Sequence, residues 1–432
     1  MTRSPVIGFA GLTHLGLNMA AASAARGFEV IGYHDDAALI SAITEDDLPV
    51  SEPGLVDLIK DAKGCLTFTA DTDALSRCDM IYISVDVPTD DHGQSDLSPI
   101  RAMITLIEKA MAPDALLIVL CQVPPGFTRA LGRDSKTTYY QVETLIFGRA
   151  VDRAMNPERF IIGCGDPDAP IDPRLAAHLA AFGCPVLPMR YESAELAKIS
   201  INMCLVASIG VANTMAEICE NVGADWSEIV PALRLDARIG PKSYIAPGLG
   251  LAGGNLERDL ETVIGLADVH NTDAGIVHAW TANSRHRKDW CFRILQDEVL
   301  AAQPNATIGL LGLAYKEDTH STKNAPSLML LSHLDPSRVT AHDPVVHTAD
   351  IDSSIKSAAD PLTACNGADA VVIITPWSQY GDLDPAEIAE RMAGRTLIDP
   401  YGLLTGPEVT AAGLDHFTLG RGPERAKTNI DA

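Results

Sequence analysis

Short apolar runs alternate with longer amphipathic segments along nearly the whole chain, and that alternation dictates a parallel sheet with crossover helices. In the first half the strand-like runs are PVIGFA, FEVIGY, CLTFT, MIYISV, ALLIVLCQV and CPVLPM, with helix-length segments between them. After Pro304 the rhythm resumes with TIGLLGLAY, RVTAHD, DAVVIITPW and RTLIDPY. Between these stretches, Tyr191 to about Val222 contains no proline and keeps helix formers throughout, which predicts one long helix stopped by Gly223. Ser98 and Pro99 read as the N-cap and first-turn proline of another helix. The expected fold class is α/β, with two Rossmann-like doubly wound parallel-sheet domains joined by a long central helix.

The chain has 432 residues, enough for two or three domains with real cores. Hydrophobic residues make up 47% and charged residues 21%, so disorder is confined to the ends, and the polar tail from Gly420 is expected to fray. Lys and Arg number 33 against 57 Asp and Glu, a formal charge of -24, which excludes a nucleic-acid partner held by general electrostatics. Any anionic ligand must instead be held by a few local cations. The nine cysteines, among them Cys65, Cys164, Cys204 and Cys291, show neither a CxxC pair nor zinc-ligand spacing. They read as reduced thiols of a cytoplasmic protein, with no metal expected. No apolar run approaches the roughly 18 residues of a membrane span, so no membrane partner is expected.

The opening strand runs into GLTHLG, Gly11 to Gly16, followed by the small-residue helix start LNMAAASAA. In a dinucleotide-binding turn the glycines allow the bend and let backbone amides approach a pyrophosphate at a helix N-terminus. Thr13 stands where the second glycine belongs, and its side chain crowds the closest approach. Gly11, Thr13, His14, Leu15 and Gly16 are the candidate phosphate contacts. About 20 residues on, the second strand ends in His34, Asp35 and Asp36, where a carboxylate meets the adenosine ribose. With His34 and Asp35 as ribose contacts and no arginine adjacent, NAD is expected rather than NADP. The bland alternative is a structural strand-to-helix corner.

Further segments extend this reading. EPGL from Glu52 to Leu55, the SVDVPTDDHGQSDLS loop, CQVPPGFTRAL and NPERFIIG are followed in order by AELAKISIN, GADWSEIV, DARIG and GLAGGNLERD. GLAYKEDTHSTKNAPS, AHDP, ADAVVIITPW and LIDPYG complete the series. Taken together these resemble the UDP-glucose and GDP-mannose dehydrogenases, a family of nucleotide-sugar dehydrogenases. The resemblance implies a cofactor domain over 1–190, a central helical dimerisation domain with the active-site loop over 191–300, a substrate domain over 301–425 and a tail over 426–432. It also implies a homodimer.

Residue by residue, the resemblance assigns Lys198 and Asn202, one turn apart, to the substrate oxygen, and Asp259 to positioning water or moving a proton. It places Glu158 of NPER near the reacting carbon, and Val87, Pro88 and Gln122 beside the cofactor. Arg238, Tyr244, Gly253, Lys316 and Lys323 match substrate contacts, and Lys242 a phosphate or subunit contact. Four departures bear on chemistry: Asn255 stands in the place of the family's cysteine, Gln122 in that of a threonine, Arg258 in that of a lysine, and Asp399, Pro400, Tyr401 and Gly402 in that of DGRN. An amide offers no nucleophile to capture an aldehyde, so one two-electron oxidation of a nucleotide sugar, or of a related phosphorylated sugar or nucleoside, is expected instead of two. The alternatives are epimerisation by transient oxidation, and ligand binding without catalysis.

Overall fold

The computed structural model describes residues 3–88 and 95–427. The Thr89–Gln94 part of the SVDVPTDDHGQSDLS loop and the last five residues of the tail lie outside them. The chain divides by contact into two compact units, 1–201 and 202–432, with the division falling inside the long helix.

The first unit is built on an eight-stranded sheet: β1 (Val6–Ala10), β2 (Glu29–Tyr33), β3 (Leu66–Thr69), β4 (Met80–Ile83), β5 (Leu116–Val119), β6 (Thr138–Gln141), β7 (Phe160–Cys164) and β8 (Val186–Arg190). Its order, β3-β2-β1-β4-β5-β6-β7-β8, begins with the dinucleotide-fold arrangement and then adds two strands. All neighbours are parallel except β6 and β7. β1 is buried on both faces: Ile7 and Phe9 enter one core, Val6 and Ala10 the other. That is why the strand reads as a continuous apolar run. Under the sheet, His178 hydrogen-bonds Ser23 Oγ at 3.0 Å and Tyr82 Oη at 2.9 Å. Burial pushes its imidazole pKa down to about 3, so it serves here as a neutral core group.

Two local expectations need correction. Ser98 is the first residue of the Ser98–Ala110 helix, not its cap. The N-cap is Leu97, which offers no side-chain hydrogen bond, and Asp96 Oδ1 accepts from Ser98 N at 2.9 Å from the position before it. The polar segment after Gly420 is tied down through Ala426. Gly420 N donates to Glu220 at 2.9 Å, His416 and Glu424 pair by backbone, and Arg425 reaches Glu298 at 2.7 Å.

The long helix is Tyr191–Val222, and Gly223 follows it with φ 75°. Its most apolar 18-residue window has a mean hydropathy of 1.5, a length and composition that core helices of soluble proteins share with membrane spans. Glu195 within it is fully buried and accepts from Gly126 N and Thr128 N, so its first turns are anchored by charge as well as by packing.

The second unit carries β9 (Ile308–Leu311), β10 (Val339–His342), β11 (Lys356–Ser357), β12 (Ala370–Ile373), β13 (Thr396–Ile398) and β14 (Asp415–Phe417). These are parallel in the order β11-β10-β9-β12-β13-β14, the same doubly wound arrangement again. The corners after the two opening strands match. Gly11 has φ 105° and donates to Tyr33 O, and Gly312 has φ 106° and donates to His342 O. A Cβ at Gly11 would lie 2.7 Å from Val85 N, and one at Gly312 2.4 Å from Thr375 Cβ, so each corner admits glycine alone.

A buried ionic cluster closes this unit. Arg287, with its side chain fully buried, faces Glu220 at 3.1 Å and Glu217 at 3.4 Å. Trp290 Nε1 and Gly420 N donate to Glu220, and Arg293 and His286 to Glu217. Against the upward push of burial, His286, Arg287 and Arg293 hold the Glu217 carboxyl below its ordinary pKa.

Candidate active site

The turn after β1 has the shape of a phosphate cradle. A Cβ at Gly16 would lie 1.9 Å from Gly11 O, so the second required glycine is fixed by contact with the first. Thr13 caps the His14–Ala25 helix: its hydroxyl faces Gly16 N at 3.5 Å and donates to Ser84 O at 2.9 Å. His14 pairs with the buried Glu52 at 2.8 Å and stacks on Phe147 at 4.0 Å. Glu52 also accepts from Gly148 N and Ala150 N, which explains why the EPGL glutamate is buried. Leu15 packs into the core beneath, and Val87 is partly buried beyond β4 with Pro88 exposed after it.

At the end of β2 the three polar residues have separate tasks. Asp36 caps the Ala37–Thr44 helix, and His34 Nδ1 accepts from Asp36 N at 3.0 Å. Asp35, its side chain 71% exposed, lies 3.3 Å from His34 Nδ1. Glycine cradle, helix N-terminus and exposed acid together fit NAD, with the Thr13 side chain as the one intrusion.

On the long helix, Lys198 Nζ lies 2.8 Å from Glu143 Oε1, both side chains largely buried. Glu143 follows β6 by two residues, at the strand ends where open α/β sheets place their functional groups. Sequence reading passed over it because TYYQ was not read as a strand, although its Thr and Tyr residues favour one. Glu158 is held elsewhere, about half exposed, with Arg159 at 3.0 Å and Arg153 at 3.8 Å. The carboxylate facing Lys198 is Glu143, which the sequence had not singled out. Gln122 lies three residues beyond β5, at the same edge as Glu143.

In the second unit Asn202 Nδ2 donates to Asp259 at 2.5 Å, and Arg258 Nε lies 3.4 Å from the other carboxylate oxygen. Asp259 is fully buried. Asn255 is the exposed first residue of the Asn255–His270 helix, whose Gly254 cap makes no side-chain hydrogen bond. The loop before it is braced from the sheet side. Gly253 N donates to Lys323 O at 3.0 Å, and Asn324 Nδ2 donates to Gly253 O and to Glu257, which Lys288 pairs at 2.9 Å. Tyr315 packs on Gly253, with Lys316 over its ring at 5.9 Å, and the Lys323 stem lies along Gly254.

Thus the structure brings Gly253, Asn255, Lys316 and Lys323 into one neighbourhood. Arg238 and Tyr244 are exposed, and Arg238 is bound bidentately to Asp236. In the segment that departs from the family's DGRN, Asp399 is buried and accepts from Leu404 N at 2.9 Å, and burial raises the Tyr401 phenol pKa.

Comparison with known proteins agrees with this architecture. The profile described as UDP-glucose/GDP-mannose dehydrogenase family, NAD binding domain, matches residues 6–175, the central domain of that family 192–285 and its UDP binding domain 309–406. UDP-glucose 6-dehydrogenase TuaD of Bacillus subtilis is 28% identical over 95% of this chain and 92% of its own length. The UDP-glucose 6-dehydrogenase of Pseudomonas aeruginosa is 29% identical over 95% and 96%. In fold, the UDP-D-ManNAc dehydrogenase from Pyrococcus horikoshii superposes with a TM-score of 0.82 at 22% identity, covering 96% of this chain and 99% of that one. The UDP-glucose dehydrogenase from Pyrobaculum islandicum does so at 0.81 and 23%, covering 98% and 99%. The three profiles together span most of the sequence in order, and the chain belongs to the UDP-glucose/GDP-mannose dehydrogenase family, with NAD as its cofactor.

Proposed function

We propose that this protein oxidises one hydroxyl of a nucleotide sugar, or a related phosphorylated sugar, by a single two-electron step. NAD supplies the hydride acceptor. The Lys198 and Glu143 pair takes the hydroxyl proton, with the ammonium positioned to stabilise the developing alkoxide. Asn202 spends one amide N–H on Asp259 and retains a second for a substrate oxygen. Lys316 and Lys323, beside the glycine loop, are the local cations for the phosphates.

The observation that carries the two-electron reading is the residue at the head of the Asn255–His270 helix: an exposed amide with no thiol. The remaining cysteines do not substitute for one. Cys204 is exposed on the long helix, but two positions past Asn202 puts it about 200° around, on the opposite face. Cys78 and Cys121 are buried, which pushes their pKa upward and keeps them as thiols.

Incubation with UDP-glucose, UDP-N-acetylmannosamine and GDP-mannose, following NADH by absorbance and products by NMR, tests this. One NADH per substrate and a carbonyl product are expected. Two NADH and a carboxylate would overturn it, and a changed configuration without net NADH would establish epimerisation instead. Asn255→Cys is expected to move the yield toward two NADH per substrate.

The same reading includes a cytoplasmic homodimer. Val211, Met215, Ile218 and Val222 are 57%, 41%, 46% and 67% exposed at helical spacing, an apolar stripe suited to a second copy. Light scattering on a Val211→Glu, Ile218→Glu double variant is expected to show monomer where the parent is a dimer.

A further inference from the structure

The Glu52 side chain is fully buried, and its two oxygens meet three groups. Gly148 N donates to Oε2 at 3.0 Å, Ala150 N donates to Oε1 at 2.7 Å, and His14 Nε2 lies 2.8 Å from Oε2. These groups come from two parts of the first unit. His14 opens the His14–Ala25 helix at the turn shaped for a pyrophosphate, whereas Gly148 and Ala150 lie at the far end of the segment that starts at Glu143. A second fastener runs beside the first, because the Phe147 ring stacks on His14 at 4.0 Å with 22° between the planes.

We propose that Glu52 is a positioning residue for the oxidation: it fastens segment 144–150 to the cofactor turn and thereby sets where the Glu143 carboxylate meets Lys198. The proposal rests on the reading that the Lys198 and Glu143 pair takes the hydroxyl proton. Residues 142–146 belong to no helix or strand, so regular structure does not fix Glu143. Contacts at its two ends do. Glu143 Oε2 accepts from Leu145 N at 3.0 Å while Oε1 faces Lys198 Nζ at 2.8 Å, so the carboxylate is aimed by the same backbone whose far end Glu52 holds. Between the ends, Arg153 Nε donates to Thr144 O at 2.6 Å and Arg149 N to Ile146 O at 3.0 Å. A path so short and so braced passes a displacement on instead of absorbing it.

The donor arrangement accounts for a carboxylate at this position. Its two oxygens have acceptor sites for all three groups, whereas a glutamine of the same shape offers one accepting oxygen and an amide NH₂. That NH₂ would confront a backbone N–H of the segment or the His14 ring, so Glu52→Gln is the smallest change that loosens the fastening. Because His14 stands in the turn that fits NAD, occupancy of the turn and placement of the segment are linked through one carboxylate.

Amide hydrogen exchange of the 144–150 peptide in the full-length protein, with and without NAD, is read beside kinetics on UDP-glucose, UDP-N-acetylmannosamine and GDP-mannose. In the parent, NAD is expected to slow exchange of that peptide about tenfold, and Glu52→Gln to lose most of this protection. The same variant should lower kcat about 10- to 100-fold, with the sugar-nucleotide KM within about threefold of the parent, the pattern of a misplaced catalytic group. Adding Glu52→Gln to Lys198→Met should cost less than about twofold more, since the pair through which Glu52 acts is already gone. Phe147→Ala tests the second fastener at a ring 47% exposed, where the fold tolerates change. It should slow kcat about 3- to 10-fold, and Phe147→Tyr, which keeps the ring, should restore the rate. Absence of NAD protection in the parent, or losses that multiply in the double variant, would refute the proposal. Glu52→Gln or Phe147→Ala at the parental rate beside a slow Glu143→Gln would defeat the positioning role alone. Glu143→Gln at the parental rate would defeat the proton-transfer reading, and the proposal with it.

Discussion

Lys198→Met is expected to lower kcat by about 10³-fold while leaving NAD affinity unchanged, since positioned proton transfer contributes about 10² to 10⁴. Methionine keeps the length and apolar stem of lysine, so the helix turn around residue 198 stays packed. What it removes is the ammonium 2.8 Å from Glu143. The remaining carboxylate is largely buried and has lost its partner, so the substrate hydroxyl faces an isolated negative charge instead of a pair that exchanges a proton within itself. Stopped-flow measurement of NADH formation, with NAD titrated separately, checks the split between rate and binding. A variant that turns over at the parental rate would remove Lys198 from the chemistry. A parent that binds NAD and sugar nucleotide but turns over nothing in the panel would instead favour a ligand-binding homologue.

Arg287→Met is expected to cost about 3–5 kcal/mol of stability, because removing one member of a buried pair strands the other. Two carboxylates are stranded here, on Glu217 and Glu220, whose side chains are 27% and 13% exposed. Arg293 and His286 still serve Glu217, so the larger part of the loss falls on Glu220. Glu220 also receives Trp290 Nε1 and Gly420 N, which ties the long helix to the Trp290–Leu295 helix and to the end of the chain. Chemical denaturation near neutral pH measures the loss, and a change under about 1 kcal/mol would show that water replaces the guanidinium at little cost. Acid acts on the same cluster. Because the Glu217 pKa is depressed in the fold, its contribution is complete above the unfolded value of 4.5 and fades as pH falls through the folded one.

Most of the architecture could be read from apolar runs, because strands covered on both faces carry no polar alternation to hide them. Each run named in either half contains an observed strand. The missed strands differ in kind. β6 is TYYQ, with polar atoms buried in the His178 and Tyr82 network, and β11 and β14 are only two and three residues long. β7 was seen only as part of a motif. In the site, the cradle glycines and the Lys198 and Asn202 spacing were legible, since each depends on local sequence. Glu143 was not, because its meeting with Lys198 joins residues 55 positions apart. The order of the tail rests on the same kind of remote contact, Arg425 with Glu298 across 127 positions.

The two matched corners, at Gly11 and Gly312, also determine where variation can enter. Any side chain at either position would run into the chain beyond the fourth strand of its sheet, so these sites are closed to exchange. Novelty at the first corner has to arrive through its neighbours, and residue 13 is such a neighbour. A hydroxyl there, donating to Ser84 O, alters what a phosphate meets at the turn while the frame around it stays as it was.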